Sequence, residues 1–537
     1  MENPRNAIVC MFDTWQFNYT GCYGNDWIKT PYIDKFAREG VLFENAYGNN
    51  MPTLPVRRSM MTGRYTLHEI GWGPLRLEDT TIADLCWGTG VDTGMAYNSK
   101  VLFINKGGFA RGFAHVSFSR GYDNYHFSKD ELYTHYKADD LWSDPGFMDR
   151  VNADPDAKRI VKIMKEEVLL HLRHKQYWEG EEDQPVATNI GEAIKMLENM
   201  DRSHGFFLWI DSFDPHEPWD PPSVWDPNKK CPYDPDYEGA DMWQPLSGLV
   251  DNLYTEEQLH HIRMLFAEKI TLCDKYFGKL CRRIRELGLW NNTLLWLTSD
   301  HGEPMGNGQW GHGIMEKCRP WPYEELVHIP LIIKFPGCPA GKRIKAFAQD
   351  CDCAPTVLSF LGLKVPKNMT GKNLIPLCMG EVDKVRDFAI AGFYKFSWSI
   401  ITEDWSYIHW LNKMDDVSLG ESMNGIYTTP EAARIETGVS GGLNDSYNKE
   451  PVTEGVKKAD DSEMNESMKM LKEHTTLDDE EQWTCGLGSR TDVPEKDELY
   501  DRKTDPFQLN NVASQYPEVA AELLAKLTAF MDDLASM

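Results

Sequence analysis

Three apolar runs of strand length each close on acidic residues: AIVCMFD on Asp13, GFFLWIDSFDPH on Asp211 and Asp214, and TLLWLTSDH on Asp300 with His301 beside it. A run that is apolar at every position fits a strand covered on both faces, as in the parallel sheets of α/β proteins. Ligands of such sheets bind beyond the carboxyl ends of the strands. Stretches far apart in the chain are therefore expected to converge on one site. The segment TEEQLHHIRMLFAEKITLCDKYFGKLCRRIREL repeats apolar residues at three- and four-residue steps, which predicts a sheet-covering helix or pair of helices. PLIIKFPG reads as a further strand and is followed by CAPTVLSFLGL, after which the alternation of strand and helix fades.

The 537 residues suffice for one large core and a smaller one, and the change of pattern near residue 380 divides them into residues 1–380 and 381–537. Residues 412–496 are rich in Asp, Glu, Ser, Gly and Thr and read as a long acidic insertion: an oligomer arm, a lid over the site, or a solvated excursion. A homo-oligomer is compatible with this. The chain closes with YPEVAAELLAKLTAFMDDLASM, an amphipathic terminal helix, and no internal repeat is present. A net charge of −27 argues against nucleic acid or an anionic membrane as partner, so an anionic substrate needs a local basic pocket. The twelve cysteines lack CxxC pairs and suggest buried thiols. No run approaches the roughly 18 apolar residues of a membrane helix, and the start lacks a signal-peptide pattern, so the expected location is cytoplasmic.

NNMPTLPVRRSMMTGRY, residues 49–65, carries a second feature. Pro55 suits the first turn of a helix, which puts Thr53 just ahead of a helix amino terminus, where free N–H groups and the dipole attract anions. Arg57, one turn on, adds a planar fork suited to tetrahedral oxyanions. Asp13, Asp300 and His301 supply oxygen and imidazole ligands for a divalent metal. Each feature alone also fits a cap or turn; their convergence is what points to a site.

With these features and GCYGN after Asp13, RGYDNY at 120–125, DPHEPWDPP around His216, SDHGE at 299–303, HGIMEK from His312 to Lys317, and ELYDRKTDP, the chain resembles the sulfatase branch of the alkaline phosphatase superfamily. The signature C/S-x-P-S-R-x4-T-G-R of that family aligns without gaps on Thr53, Pro55, Val56, Arg57, Thr62, Gly63 and Arg64. The resemblance implies a mixed, mostly parallel central sheet flanked by helices, with a smaller C-terminal α+β subdomain. It implies that Asp13, Asp300 and His301 hold the metal, that residue 53 is both ligand and nucleophile, and that Arg57 anchors it. His216, His312, Lys317 and Lys100 would surround the substrate oxygens and help the leaving group depart. Three positions depart from the pattern: Thr53 stands where Cys or Ser becomes formylglycine, Val56 replaces a small residue, and Thr14 replaces a second metal-binding Asp. Lys100 lies in SKVL where G-K-x-H is usual.

Thr53 has no second hydroxyl on its Cβ, so a sulfated Thr53 could not collapse to an aldehyde as a formylglycine hydrate does. A phosphorylated Thr53 can instead be opened by water at phosphorus. The resulting expectation is a metal-dependent hydrolase of small anionic phosphoesters, either phosphodiesters or phosphonate and phosphate monoesters. A sulfatase acting without formylglycine and a degenerate binding protein are the alternatives. One divalent ion is expected, manganese or zinc rather than calcium. Trp15, Trp72, Trp310 and Trp321 are candidates for an aromatic subsite or for packing.

Overall fold

The computed structural model describes residues 5–99, 102, 108–119, 144–155, 157–158, 161, 168, 171–172, 175, 177–317, 321–411, 494 and 496–536. Lys100, the motif at 120–125 and nearly all of the acidic segment lie outside the described residues.

The main sheet has eight strands: β1 Asn6–Phe12, β2 Val41–Phe43, β3 Asp92–Tyr97, β4 His115–Phe118, β5 Phe206–Ser212, β6 Thr293–Ser299, β7 Leu331–Lys334 and β8 Lys342–Ile344. They lie in the order β8-β2-β7-β6-β1-β5-β3-β4. The three acid-terminated runs are the neighbours β6, β1 and β5, paired in parallel. Their uniform apolarity follows from burial on both faces. Ile8, Cys10 and Phe12 enter one core and Ala7, Val9 and Met11 the other, as the two-residue period of a strand requires. Strand β7, the PLIIKFPG run, pairs antiparallel with both β6 and β2, so the sheet is mixed.

On the first face lie α1 Pro31–Glu39, α3 Pro185–Asn199 and α4 Glu256–Glu286, and on the second α2 Thr53–Thr62 and α5 Cys353–Leu361. The periodic segment is one helix of 31 residues, α4, started by a capping box in which Thr255 and Gln258 satisfy each other's N–H groups. Register then places the site. Phe12 lies opposite both Ser212 and Ser299, so Asp13 and Asp300 leave adjacent strand ends at one level. The Asp300 N–H donates to the Phe12 carbonyl and that of Asp13 to Ser212.

A second, antiparallel sheet follows, of β9 Ala389–Phe393, β10 Ser397–Ile401, β11 Trp405–Trp410 and β12 Glu498–Asp501. The terminal helix α6, Pro517–Ala535, packs on it through Leu523, Leu527, Met531 and Leu534. Because β11 and β12 are paired neighbours, the acidic segment is a connection between adjacent strands. Among the described residues no helix is long and apolar enough to cross a membrane.

Candidate active site

Thr53 opens α2, its side chain buried, and its hydroxyl oxygen lies 3.2 Å from His301 Nε2. His301 Nδ1–H donates to the Gly302 carbonyl at 2.7 Å, which turns the Nε2 lone pair toward Thr53. Asp13, Asp300 and His301 are buried and offer ligand atoms all within 4.8 Å of one another. Asp300 Oδ1 accepts from the backbone N–H groups of Thr14 and His301, at 3.0 and 2.8 Å. The first of these requires Thr14 to hold φ of 60°, a left-handed conformation that costs a β-branched residue about 1–3 kcal/mol.

Arg57 is the centre of this arrangement. Its Nε and Nη2 fork binds Asp211 at 2.9 and 2.8 Å, Nη2 reaches Asp13 at 2.9 Å, and Nη1 meets Asp300 and the Thr53 carbonyl. All five guanidinium N–H groups are taken by protein acceptors. The sequence suggested an oxyanion donor; the structure has a clamp that gathers three carboxylates and the backbone of Thr53.

Three buried carboxylates share one guanidinium, so the acids outnumber the cation they touch. Asp13 Oδ1 is buried without a hydrogen-bond partner. Burial, and then the neighbouring Asp300, push the Asp13 carboxyl well above its usual range. Burial works against Asp300 too, but His301 and Arg57 hold it low. Burial drives His301 down to about 4, so its imidazole is neutral and able to ligate at neutral pH. Donor types, spare charge and the orphaned oxygen all fit a divalent metal held by Asp13, Asp300, His301 and the Thr53 hydroxyl.

Beside this centre His216 and Lys317 meet, Nζ to Nε2 at 2.5 Å. His216 Nδ1 donates to the Glu217 carbonyl and its ring stacks on Phe213. Burial and then Lys317 push His216 well below its usual pKa. Burial opposes the Lys317 charge, but Glu217, at 3.1 Å, and Glu303 hold it above the ordinary value, and Asp13 adds to this. The pair is an ammonium donating to a neutral imidazole.

His312 has other partners. Its Nδ1 contacts Glu325 at 2.7 Å, its Nε2 the Gln508 carbonyl at 3.0 Å, and it stacks on Tyr323. Burial is outweighed by Glu325, so its pKa is raised. Of the tryptophans, Trp15 is buried and donates to Thr20, Trp72 packs on the second core, Trp321 packs beside Tyr323, and Trp310 lies half-buried against Arg263. Sequence reasoning named neither Asp211, Glu217 nor Glu303 as a site residue. Asp211 carried the available signal, since it closes β5 as Asp13 and Asp300 close β1 and β6; Glu303 stood in the SDHGE motif.

Residues 5–363 match the model of the Sulfatase family, and residues 311–448 match that of N-sulphoglucosamine sulphohydrolase, C-terminal. The chain belongs to the sulfatase family. This sulfatase-family protein is similar to the N-acetylglucosamine-6-O-sulfatase of Bacteroides thetaiotaomicron, 25% identical over 520 residues covering 80% of this chain and 84% of that one. It is also similar to the arylsulfatase of Clostridium perfringens, at 26% over 421 residues with 73% and 82% covered. Its fold is that of the phosphonate monoester hydrolase of Agrobacterium radiobacter, with a TM-score of 0.60, 19% identity and 98% and 96% of the two chains covered. The protein is an ester hydrolase of the sulfatase and alkaline phosphatase superfamily.

Proposed function

We propose that this protein hydrolyses small phosphorus esters, phosphodiesters or phosphonate and phosphate monoesters, with Thr53 as covalent nucleophile and one divalent metal as cofactor. The observation that carries the reading is the Thr53 hydroxyl, set at the mouth of a metal-fitting cluster in a family whose usual nucleophile at this position bears two hydroxyls. Asp13, Thr53, Asp300 and His301 would hold the ion, with manganese or zinc suiting one imidazole and two carboxylates better than calcium does. When bound, it supplies positive charge that favours ionisation of a hydroxyl and polarises the ester.

The chain's own residues account for the remainder. Arg57 orients Asp13, Asp300 and the Thr53 backbone. The Thr53 hydroxyl loses its proton to solvent, and its oxygen forms a bond to phosphorus as the bond to the leaving oxygen breaks. The leaving oxygen takes a proton from the Lys317 and His216 pair. Water then forms a bond to phosphorus as the bond from phosphorus to the Thr53 oxygen breaks, returns one proton to that pair, and the released Thr53 oxygen takes back its proton from solvent.

A second reading, sulfate-ester hydrolysis without formylglycine, draws support from the family and from relatives that are sulfatases. Turnover of nitrophenyl sulfate, phosphate, phosphodiester and phosphonate esters by the metal-loaded protein tests both. Many turnovers of the sulfate ester with none on any phosphorus ester would overturn the phosphoryl reading. A phosphoryl adduct mapped to Thr53 would establish it.

A further inference from the structure

Three arginines of this protein are buried among the described residues: Arg57, Arg58 and Arg263, exposed by 0, 1 and 7%. Arg57 meets three carboxylates, and Arg58 binds Asp79 at 2.8 Å and the Pro74 carbonyl. Among the described residues Arg263 meets no carboxylate, and its one protein acceptor is the Met305 carbonyl, 3.3 Å from Nη1; its guanidinium lies 5.3 Å from the centre of the Trp310 ring. The nearby Glu256 accepts from Asn307 instead. A guanidinium stays charged in proteins and carries five donors, and removing one from water without an anionic partner is costly.

The surroundings of Arg263 are equally incomplete. The Tyr19 hydroxyl, which interacts electrostatically with Arg263, is buried with no hydrogen-bond partner. The Tyr19 ring lies 6.0 Å from that of Trp310, edge to face. Burial lowers the Arg263 pKa, and Tyr19 and Glu256 offset only part of this. Tyr19, Met305 and Trp310 belong to segments that leave the catalytic edge. Tyr19 follows Asp13 on the loop after β1, whereas Met305 and Trp310 follow His301 on the loop after β6. Arg263 is near the amino end of α4, which packs against the Met305–Gly306 strand.

We propose that Arg263, Tyr19 and Trp310 form a subsite for a second anionic group, a carboxylate, sulfate or phosphate borne on the non-reacting part of the substrate. The anion accepts from the Arg263 fork and the Tyr19 hydroxyl, and Trp310 covers the guanidinium face. This rests on the ester-hydrolase reading, and it narrows the substrate to molecules charged at two places.

Two measurements test it. Crystals of the full chain soaked in selenate are expected to show the anion on Arg263 and to lose it in Arg263→Gln. In kinetics, the phenyl ester of the group the protein turns over is compared with its carboxyphenyl counterpart. The wild type is expected to prefer the carboxyphenyl ester, and Arg263→Gln to lose about 10- to 100-fold of that preference in kcat/KM, the scale of a charged hydrogen-bonded pair. Arg263→Lys, which keeps charge without the fork, is expected to fall between them. Absence of selenate at Arg263 overturns the proposal. Selenate there with an unchanged preference in Arg263→Gln means an adventitious ion only and overturns it as well. Selenate bound with no turnover of any ester retains the anion site and removes the hydrolase reading, so the two failures are distinct.

Discussion

The inner half of the site stands on strand ends, whereas the outer half stands on loops, and the two manage buried charge differently. Asp13, Asp300 and Asp211 emerge from three adjacent parallel strands, and one arginine from α2 takes all three. Their positions are set by the hydrogen-bond ladder of the sheet, which tolerates little displacement. The outer residues come from loops that adopt unusual backbone: His312 has φ of 54° and Glu316 of 63°. There each cation has its own carboxylates, His312 Glu325 and Lys317 both Glu217 and Glu303. The inner half is thus a buried charge cluster fixed to the sheet, and the outer half a set of charges paired loop to loop.

The largest effect is expected from the inner clamp. Arg57→Met leaves three buried carboxylates without a counter-charge, so the metal-free protein should lose about 3–5 kcal/mol in chemical denaturation, and turnover should vanish. An unchanged denaturation midpoint would show that the cluster is not held by Arg57.

Next, Asp300→Ala should abolish metal retention measured by elemental analysis, together with activity, while the Lys317 and His216 pair persists. Retained metal and activity would remove the inner site. On the outer half, Lys317→Ala should keep the metal and lower kcat by about 10²–10³, the usual cost of removing one preorganised donor. Wild-type kinetics would put the leaving group elsewhere.

His312→Gln should cost less, about tenfold or below, because its ring nitrogens are engaged with Glu325 and Gln508. A loss as large as that for Lys317→Ala would merge the two roles.

The smallest effect concerns pH. His216 has a folded pKa well below the ordinary histidine value of about 6.5, so on acidification the unfolded chain takes up a proton first and stability falls from about that pH downward. His312 has a folded pKa above 6.5; its contribution is complete below that value and disappears as pH rises through the folded pKa. Imidazole resonances followed by NMR should therefore titrate on opposite sides of the unperturbed histidine. Coincident titrations would remove the distinction between the loops.

Much of the inner half was legible in sequence. Uniformly apolar runs ending in Asp imply buried parallel strands, and strands of one parallel sheet end on one edge, so Asp13, Asp300 and His301 converge whatever the loops do. Pro55 placed a helix start just after Thr53, and the helix begins at Thr53 itself. What the sequence could not carry is pairing. The motifs placed His216 and His312 side by side as candidates, yet burial and Lys317 lower the pKa of one while Glu325 raises that of the other.

The sequence alone determined which residue types stand at the strand ends, that Thr53 has a single hydroxyl, and hence the class of chemistry available to it. Tertiary structure alone decided where the charges go. Among the described residues it set the Arg57 fork on Asp211, left Asp13 Oδ1 without a hydrogen-bond partner, and buried Arg263 without an acid. Periodicity reports which face of an element is apolar, because that depends on local geometry; the partner of a buried charge is selected by distance across elements, which no spacing along the chain encodes.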